Sequence, residues 1–208
     1  MRCTIDHLTV TAPTLASGAD FVRAALGVAP GPGGEHPRMG THNLLLKLGQ
    51  AAFLEVIAPD PAAPHPGRPR WFALDDAAAV REPRLAAWVA RTDDLGACPR
   101  DLLEHLGPVE TMTRGAREWL ITIPADGALP LGGALPMLIE WQSPRTPAGA
   151  GLPESGCALA TLGLRHPQPQ RVTALLALAG LADRVETAAG TAGLWADIVT
   201  PQGLRRLG

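Results

Sequence analysis

The sequence contains no tyrosine, and only 4% of its 208 residues are aromatic. Without a phenol, acid–base chemistry has to depend on histidine, on carboxylate or on metal-bound water. The sequence also lacks a phosphate-binding glycine loop, a dinucleotide-binding fingerprint and a serine nucleophile elbow. No apolar run approaches the roughly 18 residues of a membrane span. These absences exclude several common enzyme classes and predict no contact with a membrane.

The net charge and the number of cysteines are both low. The formal net charge is −2 and the pI is about 6.3, which is not the basic excess typical of a nucleic-acid-binding domain. The three cysteines, Cys3, Cys98 and Cys157, lack the paired spacing of a metal site and indicate free thiols in a reducing compartment. No basic and apolar leader opens the chain. We therefore expect a soluble, cytoplasmic protein that does not bind nucleic acid.

What the sequence does contain is a recurring segment. Residues 54–59, 139–144 and 196–201 are apolar runs that each contain one carboxylate, with a proline four residues after it. A carboxylate inside a strand-like apolar run is costly to bury unless something positive pairs with it. Its recurrence at one offset predicts equivalent strands in repeated units, whose acids share a metal or another cationic partner.

The beginning of each segment is repeated as well. Residues 5–11 read as a strand, followed by a helix over 14–26 that Thr14 caps and Gly27 ends. A second strand at 85–91 is followed by a helix ending at Gly107, and a third at 159–164 by a helix over 170–180. With the intervening strand candidates, the pattern predicts two βαβββ units and an abbreviated third βαββ unit.

We therefore expect one α+β domain over residues 1–208, with unit one at 3–60, unit two at 84–145 and the third unit at 157–201. Proline-rich residues 59–70 link the first two units. A glycine- and proline-rich loop at 125–136 precedes the last strand of unit two. Its leucines predict either a lid at the mouth of a pocket or a plug that caps the core.

Several short motifs occur in a specific order: Ile5-Asp6-His7-Leu8, then Gly40-Thr41-His42-Asn43, then Leu54-Glu55-Val56-Ile57. Together with residues 70–74, 129–133 and 139–141, they resemble the vicinal oxygen chelate superfamily, in particular its glyoxalase-like branch (the glyoxalase, bleomycin resistance and extradiol dioxygenase fold). The resemblance covers about residues 3–145. It implies that the two units pair their curved sheets into a cup.

The resemblance also implies a divalent metal in this cup. Matched residue by residue, the ligands are His7 and Glu55 from unit one and Glu140 from unit two, while Ala87 occupies the fourth place and cannot ligate. One histidine and two carboxylates suit Fe or Mn, and Zn, Ni or Mg are alternatives. A buried His7 bonded to a carboxylate, with no metal, is the competing interpretation.

Four further residues are substrate-binding candidates. His42 and Asn43 enter an apolar strand and could face the cup, although both could equally serve the strand turn. Trp71 follows the proline-rich linker and could close the cup as an apolar wall. Arg114 is the best-placed cation for an anionic substrate. Asp197 is expected to form a salt bridge to Arg165 or Arg184 rather than bind metal. Three other histidines are expected to be inert: His36, His65 and His105.

Two main functions compete. The first is a metal-dependent isomerase, lyase or dioxygenase acting on a small oxygen-chelating metabolite, in which Glu140 or Glu55 leaves the metal to move a proton. The alternative is a binding or sequestering protein that uses the same cup for a small-molecule ligand without turnover. A structural module is a third hypothesis, and a homodimer is the expected assembly. The sequence does not identify the substrate.

Overall fold

The structure is a computed structural model that describes residues 1–208 and has the α+β character expected from the sequence. Unit one comprises β1 (Thr4–Thr11), α1 (Leu15–Leu26), β2 (Gly31–His36), β3 (Thr41–Leu48) and β4 (Ala52–Pro59). Unit two comprises β5 (Arg84–Arg91), α2 (Arg100–Leu106), β6 (Val109–Arg114), β7 (Arg117–Thr122) and β8 (Met137–Ser143). The third unit comprises β9 (Ala158–His166), α3 (Pro169–Leu178), β10 (Glu186–Ala189), β11 (Gly193–Thr200) and β12 (Gly203–Leu207).

Helix α1 begins and ends where its sequence signals predict. The Thr14 hydroxyl accepts a hydrogen bond from the Ser17 amide and so satisfies one of the free N–H groups of the first turn. Gly27 ends the helix in the left-handed region at φ 71°, where glycine carries no steric penalty. Helix α1 buries Val22 and Leu26 against the sheet. No helix of the structure has both the length and the apolar character needed to cross a membrane.

Units one and two share one eight-stranded sheet in the order β2-β3-β4-β1-β5-β8-β7-β6. In each unit the first strand pairs in parallel with the last, and β1 and β5 join the units in antiparallel pairing. The two halves are therefore related by a pseudo-twofold axis between β1 and β5. The concave face of this sheet, called the cup below, confirms the curved-sheet architecture predicted from the sequence.

The outer edges of the sheet approach each other across the cup. Arg38, just after β2, donates to the Thr111 carbonyl and to Glu110 on β6. Arg68 from the linker donates to both oxygens of the same carboxylate. Side chains rather than backbone hydrogen bonds therefore hold the edges of the cup together.

Two apolar clusters lie on opposite faces of the sheet, because side chains alternate along each strand. On β4, Leu54 and Val56 pack on the helical face, whereas Phe53 and Ile57 face the cup. The third unit joins the helical-face cluster through side chains that include Leu162 and Leu194. It therefore supports the back of the sheet and does not enter the cup.

The third unit differs in topology from the other two. Its four strands are ordered β10-β9-β11-β12, with β9 parallel to β10 and antiparallel to β11. In the other units the first strand pairs with the last strand instead. The third unit also has a final strand beyond residue 201, β12, so it is βαβββ rather than an abbreviated βαββ. The similar local pattern in the sequence thus does not make it a third copy.

Strand β2 is the element that the sequence pattern did not reveal in unit one. Its sequence, Gly-Pro-Gly-Gly-Glu-His, is typical of a loop. It nevertheless pairs with β3, with a register irregularity between Pro32 and Glu35. As an edge strand it tolerates proline, which cannot donate to a neighbouring strand. This strand carries His36 into the cup.

Candidate functional site

The cup encloses a cavity of about 40 Å³, which is room for roughly three water molecules. Aromatic and aliphatic side chains form most of its wall, and a line of polar groups crosses its floor. Those polar residues are His7, His36, Asn43, Glu55 and Arg114. The cavity is the candidate functional site, and its chemistry depends on how these five side chains are held.

His7 lies between two carboxylates. Its Nδ1 atom is 2.8 Å from Oδ1 of Asp6, and its Nε2 atom is 3.7 Å from Oε2 of Glu55. The ring stacks on Phe53, with centroids 4.5 Å apart. Neighbouring side chains on a strand normally point to opposite faces. Here a register shift in the β1–β5 pairing between Ile5 and His7 accompanies the contact between adjacent side chains.

Glu55 is buried and is held by Asn43. The Asn43 amide donates to Oε1 of Glu55 over 2.5 Å, while its own Oδ1 accepts from the Gly34 amide over 2.8 Å. This second bond fixes which way the Asn43 amide points. A Cβ on Gly33 would lie 2.1 Å from Asn43 Oδ1, so β2 can approach this closely only with glycine there. Asn43 therefore orients the carboxylate toward His7.

Arg114 points into the cavity from β6. Its Nη1 atom is 3.2 Å from Nε2 of His36 and 3.4 Å from Oδ1 of Asn43, and its guanidinium forms no ion pair with a carboxylate. Burial lowers the pKa of Arg114, although the nearby Glu55 opposes this effect. Arg114 is half-buried, and even partial burial of a charge without a carboxylate partner is costly.

His36 is the neutral acceptor for this arginine. Burial, followed by the positive charge of Arg114, lowers the pKa of His36 to about 3. Arginine can only donate, so Nε2 of His36 accepts and the neutral ring carries its proton on Nδ1. That nitrogen is 3.3 Å from the Thr41 hydroxyl, which also accepts from the indole of Trp71. The cavity wall and the arginine are thus connected through one histidine.

Glu140 does not join His7 and Glu55. Its neighbours Ile139 and Trp141 line the cavity, so Glu140 points to the opposite face of β8. There Oε2 accepts from the Leu95 amide over 2.7 Å, and Oε1 accepts from Gln142 over 2.7 Å. The expected convergence of three ligands is therefore not found, and Glu140 caps a neighbouring turn instead.

The facing of residues along the two strands explains this outcome. Glu55 is itself a cup-facing residue of β4, whereas Glu140 lies between the cup-facing residues Ile139 and Trp141 of β8. The same offset from a proline therefore reaches opposite faces of the two strands, because a one-residue shift reverses the face. The two strands thus share the offset between acid and proline, but their acids point to opposite faces of the sheet.

The side chains present do not fit a resident divalent metal. The cup brings together only His7 and Glu55, and no cluster of three or more His, Cys, Asp or Glu side chains could hold an ion. The cup-facing positions of β8 are apolar, and so is Ala87 on β5. Protein sites for such metals generally take at least three protein ligands. The metal set expected from the resemblance is thus reduced to two donors.

The other substrate-binding candidates divide between the two faces. Asn43, Trp71 and Arg114 line the cavity. His42 lies on the opposite face of β3, where its Nδ1 is 3.9 Å from Asp60. Strand alternation permits only one of two adjacent residues to face the cup. Since Asn43 does so, His42 does not.

The loop over residues 125–136 lines none of the cavity. Leu135 is fully buried in the cluster on the helical face, and Leu131 packs against the same cluster. A Cβ on Gly133 would lie 2.2 Å from the Ala86 carbonyl oxygen, so the loop backbone rests directly on β5. Leu129 packs against the cluster on the cup face without lining the cavity. The loop is therefore mainly a core plug rather than the lid at the mouth of the cup.

Asp197 forms a bidentate ion pair with Arg206, at 2.7 Å for both hydrogen bonds. The arginines expected from the sequence, Arg165 and Arg184, are not its partners. Arg206 lies opposite Asp197 on β12, the strand that the sequence analysis did not include. Missing that strand therefore also hid the correct partner.

Two residues of the site were missed by sequence reasoning. Asp6 precedes His7 in the motif Ile5-Asp6-His7-Leu8, but the alternation of side chains along a strand assigns it to the opposite face. His36 lies in a glycine- and proline-rich segment that reads as a loop, so it was expected to be inert. In the structure both are buried, at 0% and 5% exposure. The only local feature of the sequence that could have indicated a role for Asp6 is that a histidine directly follows it.

Comparison with known proteins supports the fold. A family model for the glyoxalase-like domain matches residues 5–180. No curated protein matches the sequence. A hypothetical protein from Staphylococcus aureus has a similar structure, with a TM-score of 0.63 and 16% identity over 97% of this chain and 82% of that chain. This similarity spans the third unit as well as the cup.

Methylmalonyl-CoA epimerases are more distant. The Streptomyces coelicolor enzyme, in complex with 2-nitronate-propionyl-CoA, is 19% identical over 65% of this chain and 94% of its own, with a TM-score of 0.43. The Mycobacterium tuberculosis enzyme is 18% identical over 65% of this chain and 84% of its own, with a TM-score of 0.42. The family match, in contrast, covers most of the sequence. The protein belongs to the glyoxalase-like domain family.

Proposed function

We propose that the protein binds a small anionic metabolite in the cup and catalyses proton transfer on it without a resident metal ion. The observation that carries this proposal is Arg114, a cation inside an aromatic cavity whose guanidinium contacts a neutral histidine and an amide but no carboxylate. A ligand carboxylate would supply the missing negative charge. Such charge-assisted hydrogen bonds are among the strongest that a protein makes.

Proton transfer is assigned to the pair opposite this arginine. Nε2 of His7 and Oε2 of Glu55 are 3.7 Å apart, which is too long for a direct hydrogen bond and leaves both atoms available to a ligand. Glu55 takes a proton from the carbon next to the ligand carbonyl or carboxylate. The C–H bond breaks, an O–H bond forms on Glu55, and the electron pair moves onto the ligand oxygen facing Arg114. Glu55, or His7 once its Nε2 has taken that proton from Glu55, then returns a proton to the carbon.

The size of the cavity limits the ligand. A volume of about 40 Å³ suits a few non-hydrogen atoms. Trp71, Trp119 and Trp141 form part of the wall of this space. A small carboxylic acid with an adjacent carbonyl supplies both the anion and the acidic C–H bond that this arrangement requires. The low polarity of the aromatic wall strengthens the attraction between Arg114 and the developing negative charge.

Non-catalytic binding is the second candidate. It is favoured by the apolar character of the unit-two wall, where Ile121 and Ile139 face the polar floor and offer no group for chemistry. The same Arg114 anchor serves this function. The two candidates differ only in whether the bound ligand exchanges a proton.

Binding is tested by tryptophan fluorescence, since three tryptophans line the cavity. Wild type is titrated with pyruvate, acetate and phosphate, beside Arg114→Met and the control Arg171→Met, which removes an exposed arginine on α3. We expect Arg114→Met to weaken carboxylate binding by about 10- to 100-fold, because a hydrogen bond to a charged group contributes about 1.5–3 kcal/mol. Equal binding by both variants contradicts the proposal. Tighter binding of phosphate than of either carboxylate corrects the anion class.

Catalysis is tested by following deuterium incorporation into the methyl group of pyruvate in D₂O by NMR. Exchange above the rate without protein supports the enzyme, and binding without exchange supports the sequestering protein. Metal analysis of protein purified without chelators accompanies this measurement. A stoichiometric divalent metal that is lost in His7→Ala contradicts the metal-free site.

The state of the cysteines is relevant to the cellular location of the protein. Cys3, Cys98 and Cys157 are free and buried, and burial raises the pKa of Cys3 to about 11. A thiol with so high a pKa stays protonated and unreactive at neutral pH. Free thiols are typical of a reducing compartment, so we infer a cytoplasmic location.

A further inference from the structure

Asp6 is a fully buried carboxylate behind the cup, and three groups converge on it. Its Oδ1 is 2.8 Å from Nδ1 of His7, and its Oδ2 accepts from the indole of Trp141 over 3.0 Å. Arg91, which also donates to the Ile5 carbonyl, lies 3.6 Å from the same Oδ2. A carboxylate without exposure to water needs such partners to be stable.

We infer that Asp6 is a positioning residue that holds His7 with a proton on Nδ1 and with Nε2 facing the ligand. The indole N–H can only donate, so Oδ2 accepts from Trp141 and the ionised Asp6 presents Oδ1 as an acceptor to His7. Nδ1 must then be the donor. The consequence for catalysis rests on the proposed function, but the protonation of the ring does not.

The surroundings of the ring support this assignment. Stacking on Phe53 fixes the plane of the imidazole, and the bond to Asp6 fixes its rotation within that plane. Nε2 is thereby aimed at the space beside Glu55, 3.7 Å away. Arg91 places a positive charge 3.6 Å from Oδ2 of Asp6. The arrangement is that of a base oriented by a carboxylate behind it.

The inference is tested by ¹⁵N NMR of the histidine side chains. In wild type, Nδ1 of His7 is expected to carry a proton. In Asp6→Asn, Trp141 still requires an acceptor and keeps the amide oxygen, so the amide NH₂ faces Nδ1. That nitrogen must then lose its proton, and the neutral ring is expected to carry its proton on Nε2 instead.

A second substitution sharpens the test. Trp141→Phe removes the donor that holds the amide oxygen, so in the double variant Asp6→Asn/Trp141→Phe the amide can rotate and accept from His7 again. We expect the proton to return to Nδ1. The control is Asp60→Asn, which removes the carboxylate beside His42 at 3.9 Å and is expected to leave the His7 signals unchanged.

An unprotonated Nδ1 in wild type overturns the inference and requires no variant to fold. An unchanged His7 proton in Asp6→Asn overturns it as well. If wild type exchanges protons on pyruvate, Asp6→Asn is expected to lower the rate 10-fold or more with little change in ligand affinity. If wild type exchanges none, the proposed catalysis fails while the NMR result still decides the role of Asp6.

Discussion

Units one and two have the same βαβββ topology, yet they contribute opposite chemistry to the cup. Unit one contributes polar groups to the cavity: His7, His36, Asn43 and Glu55. Unit two contributes a mainly apolar wall and one cation: Trp119, Ile121, Ile139, Trp141 and Arg114. A duplicated fold therefore need not duplicate its site. In the proposed function, one unit carries the proton-transfer groups and the other supplies the cation that binds the ligand.

The comparison is most sharply tested at Glu55 and Glu140, which occupy the same offset from a proline in the two units. Glu55→Gln is expected to lower proton exchange about 100-fold or more, the usual contribution of a general base. Glu140→Gln is expected to leave exchange within about twofold, because its side chain bonds to Leu95 and Gln142 outside the cup. NMR exchange rates measure both. A comparable loss in both variants would return Glu140 to the site.

Moving the acid of unit two by one residue should break the asymmetry. Ile139→Glu places a carboxylate on the cup-facing side of β8, together with His7 and Glu55. We expect it to destabilise the protein by about 3 kcal/mol, because a buried charge replaces an aliphatic side chain. Added Mn²⁺ should restore part of this loss by completing a three-ligand site. Thermal melts with and without Mn²⁺ measure both effects.

Wild type is the control for this experiment, and its melting temperature should not respond to Mn²⁺. If Mn²⁺ stabilises wild type and Ile139→Glu equally, the one-residue explanation for the missing ligand does not hold.

The next largest effect is expected in the loop over residues 125–136 of unit two, which plugs the core. Gly133→Ala is expected to cost about 2–3 kcal/mol of unfolding free energy, because its Cβ would meet the Ala86 carbonyl at 2.2 Å and its φ is 93°. Gly132→Ala, at φ 65° with its nearest neighbour 3.7 Å away, should cost about 1 kcal/mol. Urea unfolding measures the difference. Ligand binding should persist in both variants, and a selective loss of binding would restore the lid interpretation.

The smallest predicted effect concerns acid stability, which depends on His36 of unit one. Below about pH 6.5 the unfolded chain binds a proton at this position, while the folded protein does not until about pH 3. The unfolding free energy therefore falls as the pH decreases through this window, by about 1.5 kcal/mol between pH 6.5 and pH 5. His36→Gln should remove this part of the pH dependence. The control His65→Gln changes an exposed histidine and should retain it.

Much of the fold could be predicted because its signals are local. The Thr14 cap and the Gly27 stop delimit α1, and alternating apolar residues identify β1, β4 and β5. Strand β2 could not be predicted in this way, because its glycines and Pro32 read as a loop and only pairing with β3 makes it a strand. The third unit was misjudged for a related reason. Local periodicity reports each strand but not which neighbour it pairs with.

The candidate site divides along the same line. His7, Glu55, Asn43, Trp71 and Arg114 could be proposed from sequence, and all five line the cavity. Glu140 and His42 share the expected residue types but face away from it, because a single-residue difference in register reverses a side chain. His36 and Asp6 reach the site only through the irregular pairing of β2 and the register shift in β1.

By itself, the sequence determined the family, the two paired units and the residues from which a site could be built, since these depend on motifs and on local periodicity. The tertiary structure alone decided which faces of the strands meet in the cup. That choice leaves His7 and Glu55 without the acid of unit two and turns Arg114 toward them. The physical reason is that facing depends on strand pairing between distant residues, which no local pattern records.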